Sequence, residues 1–348
     1  MRLFALSILS GLAVFATAGI THKAIQDGPY KVLQTVKVGG DGGFDYVYAD
    51  SVGRKVYIAR GGAGARVSVF NLDGLSAAGE IAKTNARGAA TDAKYHTGFA
   101  SSQPVAMWDT NTLAPIKTIP VEGRPDGILA DAFNHRIYIF SHSAPNVTVI
   151  DAKDGSVLGT IDLGGAPEQA ASDGKGTIYV DLEDKGAVGV IDAKTMKLRT
   201  TYSLNGKGDG CAGLALDAKN NVLFVACREP QVMVMLDAKT GKYLADLPLA
   251  GGSDGAVFNS KTKEAFSSHG NGTLTVIKET SPTTFVVEQT VKTMTGAKTL
   301  TLDSKTGNIL LIAAEYAAPT QTTPPAQGAR PGRRQMIPGS FSILVVGK

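Results

Sequence analysis

The chain has 348 residues, including 41 glycines and a single tryptophan, and its 35 basic and 31 acidic residues give a formal charge of +4. Signs this evenly mixed speak against a dedicated nucleic-acid surface, and a glycine-rich, aromatic-poor composition speaks against both a disordered chain and a helical bundle. The length exceeds that of one simple core, so the chain either holds two domains or builds by repetition.

The first 24 residues read MRLFALSILSGLAVFATAGITHKA. Arg2 precedes a short apolar run, and Ala16-Thr17-Ala18 has the small-x-small form that signal peptidase cuts. This predicts a signal peptide over 1–18, a flexible start over 19–29 and a periplasmic or secreted protein with no membrane span after cleavage.

Beyond it, one phrase recurs. A strand of small residues ends in Asp50, Asp92, Asp131, Asp173, Asp217, Asn259 and Asp303, a period of 39 to 44 residues. A second landmark (VFNLD, AMWD, VTVID, VGVID, VMVMLD) closes a third strand in each unit, and turns such as AKDG or AKTG lead to a fourth. A period of about 40–45 residues with four strands is that of a propeller blade. One such sheet alone leaves both faces bare, whereas a ring of them buries both and leaves only short edges. The small first strand belongs nearest the crowded axis. Six units are complete; the seventh lacks an outer strand, and YKVLQTVKV (Tyr30–Val38) is available to supply it. The predicted architecture is all-β, a seven-bladed β-propeller of four-stranded antiparallel blades over 30–348, closed by the N-terminal strand completing the last blade. A ring of this kind is expected to be a monomer.

In the fifth unit, Cys211 and Cys227 flank the turn of CAGLALDAKNNVLFVAC. If Leu216 pairs with Val222, the same register sets the two cysteines opposite each other, within disulfide reach. An oxidising address favours that bond. The seventh unit contains a Pro-rich stretch, residues 317–340, whose composition cannot fold alone and which Arg330, Arg333 and Arg334 make basic.

The third-to-fourth-strand pattern, together with RPDGILAD, GKGTIYVDLEDKGAVGVIDAKT and GTLTVI, resembles the YncE-like, YVTN-repeat propellers of exported bacterial proteins. The resemblance runs from Tyr30 to Lys348. It implies seven blades and an exported address but no single activity, although DNA binding has been proposed for a relative. Members of this subtype often carry histidines near the channel mouth in blades 1 and 2. Here ARGGAGARVSVF and TNARGAATDAK have none.

In such a ring, the loops leading into each first strand and those between second and third strands share the face that surrounds the channel mouth. Those positions are Asp45, Arg60, Arg87, Asp126, His142, Glu168, Glu183, Asp209, Arg228, Asp254, His269 and Lys298. Asp-Gly pairs recur among them, and a pair of this type serves equally as an ordinary turn. Unlike charges converging on one funnel point instead to a binding site for a small polar ligand, an exported protein or a peptide. His142 and His269 fall in blades 3 and 6, too far apart for one metal to bind both. A divalent cation at the mouth would look to Asp126, Glu168 and Asp254. Two alternatives stay open: a lactonase- or lyase-type enzyme sited at the mouth, and single-stranded nucleic-acid binding. The scarcity of aromatic platforms weighs against the second.

Overall fold

The computed structural model describes residues 28–144, 146–317 and 335–348. The predicted signal peptide, most of the flexible start and residues 318–334 of the Pro-rich stretch therefore lie outside the described residues.

The described strands form seven four-stranded antiparallel sheets. Their innermost strands are Gly43–Asp50, Ala89–Asp92, Pro125–Asp131, Pro167–Ser172, Gly213–Asp217, Ser253–Asn259 and Leu300–Leu302, which define blades 1 to 7. Each innermost strand packs against the next, and that of blade 7 returns to that of blade 1, so the sheets close into a ring. One apolar cluster fills each junction between neighbouring blades. Trp108, Tyr57 and Ala100 lie between blades 1 and 2, for example, and Leu223, Val190 and Tyr179 between blades 4 and 5. Because both faces of every blade are covered, the second strands read as unbroken apolar runs; VLFVAC (Val222–Cys227) is buried at every position.

The recurring acid has a local cause. Each landmark side chain accepts the backbone N–H two residues on: Asp50 from Val52, Asp92 from Lys94, Asp131 from Phe133, Asp173 from Lys175, Asp217 from Lys219, Asn259 from Lys261 and Asp303 from Lys305. The short polar side chain stands in for a backbone acceptor and sets the hairpin turn. These turns lie on the face opposite the channel mouth.

Blade 7 contains Leu300–Leu302, Ile309–Ala313 and Ser342–Gly347, and Lys31–Lys37 is the fourth strand of its sheet, antiparallel to Ser342–Gly347. The turn from Lys31–Lys37 into blade 1 is held by Arg60. This guanidinium is 1% exposed, donates to the carbonyls of Gly39, Gly40, Asp41, Gly42 and Gly43, and lies 3.7 Å over the Phe341 ring. At the base of the Pro-rich stretch, Ala317 donates to Gln335 O and Ile337 to Glu315 O.

Cys211 and Cys227 form a disulfide. The register beside it is one residue from that expected: Val222 pairs with Asp217, and Leu216 with Leu223. The paired run of the inner strand ends at Gly213, which frees the preceding residues to swing Cys211 over Cys227.

Candidate functional site

Four acidic side chains on innermost strands sit at irregularities in strand pairing. The register of blade 1 shifts between Phe44 and Val47, which brackets Asp45. Shifts at Pro125/Ile128, Pro167/Ala170 and Ser253/Gly255 bracket Asp126, Glu168 and Asp254. A bulge places an extra residue on one strand and re-aims its side chain. In regular pairing these positions would alternate into the junctions between blades; here they join one polar cluster. Gly127 and Gly255 permit it, because a Cβ at Gly127 would stand 3.0 Å from the Glu168 carbonyl oxygen and one at Gly255 2.8 Å from Leu300. The Asp-Gly pairs at 126 and 254 are therefore strand residues. Asp209-Gly210 lies outside the innermost strand: Gly210 has φ +56°, and Asp209 is bridged to Glu229 and accepts the Arg228 N–H at its backbone carbonyl.

The cluster is a chain of contacts around the mouth that draws on all seven blades. Arg87 donates to Asp45 at 3.0 Å. Lys298 Nζ lies 3.8 Å from Asp45 and 3.0 Å from Asp254. Arg228 donates from Nε to Asp254 at 3.2 Å and from Nη1 to Glu183. Glu183 abuts Glu168, and Tyr46 donates its hydroxyl to Glu168 Oε2 at 3.0 Å. His142 Nε2 lies 3.3 Å from Glu168 Oε1 and 3.4 Å from Asp126 Oδ2. It is shielded from solvent, yet makes a well-formed hydrogen bond to neither carboxylate. Together these groups line a cavity of about 90 Å³ whose walls include Asp45, Tyr46, Asp126, Glu168, Arg228, Asp254 and Lys298.

The electrostatics are uneven around this circle. Arg87, Arg228 and Lys298 are each engaged by carboxylates, and Lys298 and Arg228 hold Asp254 below its ordinary range against the cost of its burial. Asp126 and Glu168 have no lysine or arginine partner among the described residues. Burial, then the charges of Asp45 and Glu168, push Asp126 up to about 6. Burial and the charge of Glu168 push Glu183 up. Behind them lies Asp181, fully buried with neither oxygen hydrogen-bonded, and raised by burial and by the charges of Glu168 and Glu183.

Of the candidate positions read from the sequence, Asp45, Arg87, Asp126, His142, Glu168, Glu183, Arg228, Asp254 and Lys298 meet in this circle. Arg60 and His269 do not. Arg60 is committed to the carbonyls of Gly39–Gly43, because a buried guanidinium must give its donors to acceptors. His269 is 0% exposed and its Nε2 meets Thr275 Oγ1 at 3.0 Å, so it faces the interior of blade 6. Asp254, expected beside Asp126 and Glu168 as a cation ligand, is instead taken by Arg228 and Lys298, and His142 stands in its place. Two members went unread in the sequence. Tyr46 gave no signal beyond adjacency to Asp45, whereas Asp181 is a lone acid inside the apolar run TIYVDL. A larger cavity of about 510 Å³ opens between blades 4 and 5 on the opposite face, lined by Lys175, Arg199, Lys219 and Lys239 among others.

No family model matches the chain. Over 149 residues it is 28% identical to proteins described as "Uncharacterized protein YncE" from Salmonella typhi and from Salmonella typhimurium, a match covering 39% of this chain and 41% of each relative. The chain thus spans about two fifths of the length of the curated relatives it matches. A chain in the crystal structure of the mitotic checkpoint complex superposes with a TM-score of 0.69 at 12% identity, over 89% of this chain and 95% of that one, which shows the propeller fold alone. The sequence match and the seven-bladed architecture together support a YncE-like propeller.

Proposed function

We propose that this YncE-like seven-bladed propeller is a binding module that takes a small polar ligand at its channel mouth, with positive charge on the part of the ligand that meets blades 3 and 4. The observation that carries the reading is the imbalance of the circle: its three lysine and arginine side chains are engaged by carboxylates, while among the described residues Asp126 and Glu168 face the cavity with only His142 between them. A concave polar site with convergent charged groups and shifted titrations is the usual form of a recognition site. Pairing irregularities on four separate blades, two of them beside a glycine, are hard to account for by turn formation. The reading includes export, since a disulfide persists in an oxidising compartment and Cys211 and Cys227 are bonded.

The test is a thermal-shift series on the full protein in chelator-containing buffer with putrescine, spermidine, arginine and glycine betaine, and gluconate as an anionic counter-probe. A cationic solute at a hundredfold excess over its Kd should raise Tm by roughly 5 °C. Asp126→Asn combined with Glu168→Gln should remove the response. If gluconate alone stabilises the protein, or no solute distinguishes the variant from wild type, the reading fails.

A further inference from the structure

We propose that Asp126, His142 and Glu168 form a site for a single divalent transition-metal cation, with zinc the best fit, whose remaining coordination position opens into the mouth cavity. The site rests on the mouth as the place of binding, but it specifies an occupant that the circle of charges does not.

The three donors come from three separate segments: the innermost strand of blade 3, the stretch after its second strand, Arg136–Ser141, and the innermost strand of blade 4. Their ligand atoms all lie within 4.8 Å of one another. His142 Nε2 stands 3.4 Å from Asp126 Oδ2 and 3.3 Å from Glu168 Oε1. Zinc binds imidazole nitrogen and carboxylate oxygen at about 2.0–2.2 Å, and the edge of a tetrahedron with such bonds is about 3.3–3.5 Å. A cation can therefore touch His142 and either carboxylate with no movement of the chain.

The state of Nε2 points the same way. The ring is part-exposed, but this nitrogen is shielded from solvent, lies between the two carboxylate oxygens and makes a well-formed hydrogen bond to neither. A shielded polar atom left without a well-formed partner is unfavourable. A metal ion accepts that lone pair and neutralises the facing carboxylates at once. Glu168 is also prepared from outside, because Tyr46 donates to Oε2 and leaves Oε1 to face His142. Such outer partners orient the ligands of metal sites. The fully buried, unpaired Asp181 adds another acid beside Glu168 and Glu183, and among the described residues no lysine or arginine forms an ion pair with Glu168. One imidazole and two carboxylates suit zinc, manganese or nickel better than calcium, which takes six to eight oxygens.

The experiment is calorimetric titration of zinc chloride into chelator-stripped full-length protein, with cobalt(II) absorption reporting coordination geometry. Wild type should bind one equivalent and give the intense visible bands of tetrahedral cobalt. His142→Gln should weaken binding by at least 100-fold. Tyr46→Phe should weaken it by about 10-fold, the scale of outer-partner losses. Asp154→Asn removes an exposed charge from the turn between the third and fourth strands of blade 3, away from the mouth, and should bind zinc as wild type does. If His142→Gln unfolds, Tyr46→Phe set against Asp154→Asn carries the test. Binding that weakens equally in every variant, a stoichiometry other than one, or no binding at all would overturn the site. The organic solutes, tested in chelator, would still judge the mouth by itself.

Discussion

Arg54 and Asp303 join the first blade to the last: Arg54 Nη1 donates to Asp303 Oδ1 at 2.8 Å and Nη2 to Oδ2 at 2.9 Å, two parallel bonds across the seam of the ring. The paired geometry is the strong form of this interaction. Against the cost of burial, Arg54, Thr306 and the Lys305 N–H hold the Asp303 carboxyl at about 2, below its ordinary 3.8. A carboxyl depressed on folding stabilises the protein above its unfolded pKa, and that stability is lost as pH falls through the folded value. Asp303→Asn should therefore cost about 2 kcal/mol at pH 7 by denaturant titration, and the difference from wild type should shrink between pH 4 and pH 2. A cost independent of pH would show that the clasp is not electrostatic.

The strand Lys31–Lys37 has its ladder partners at the far end of the chain, with Lys37 opposite Ser342 and Lys31 opposite Gly347. Removing residues 1–38 should destabilise the ring by several kcal/mol, since it bares the edge of blade 7 and takes Val32, Val36 and Tyr30 from their clusters. Hydrophobic-dye binding and loss of a cooperative melt would report this, and a peptide of residues 28–40 supplied in trans should restore the melt. A truncated protein that melts like wild type would refute the closing role.

Cys211 and Cys227 are 16 residues apart, and cross-linking a loop of that size stabilises by about 3 kcal/mol through the unfolded chain. The double variant Cys211→Ala/Cys227→Ala should unfold at lower denaturant by that amount. Because Arg228 follows Cys227 directly and ties Glu183 to Asp254, the same variant should also weaken solute binding at the mouth. Unchanged binding in a folded variant would separate the staple from the site.

His269 gives the protein a second pH dependence. Its ring is fully buried, Nδ1 has no hydrogen-bond partner, and burial pushes the imidazole down to about 4 from 6.5. The unfolded chain thus takes up a proton between those values while the folded protein does not. Stability from this group is present above pH 6.5 and falls as pH drops toward 4. His269→Leu should reduce the loss of stability between pH 6.5 and pH 4 by about 3 kcal/mol at most, measured by denaturant titration at both ends. Parallel profiles for variant and wild type would exclude His269 as the source.

Short-range chemistry alone accounts for the repeat. The acid that ends each inner strand accepts the N–H two residues on, so the turns recur with it, and apolar runs between them spell strands that must be covered on both faces. Two cysteines flanking one such turn could meet although the register beside them differs by a residue. Which mouth positions share a cavity is set by the closed ring of blades. Asp45, Asp126, Glu168 and Asp254 reach it through pairing irregularities, and a one-residue shift sends a side chain to the other face of its strand. Arg60 and His269 occupy equivalent places in the repeat but turn inward, because loop carbonyls and a threonine hydroxyl are nearer to hand. His142 and Asp126, 16 positions apart, meet within blade 3, but their meeting with Glu168 depends on blades 3 and 4 being neighbours at the axis. His142 and Glu168 are 26 positions apart, and no local pattern encodes their contact.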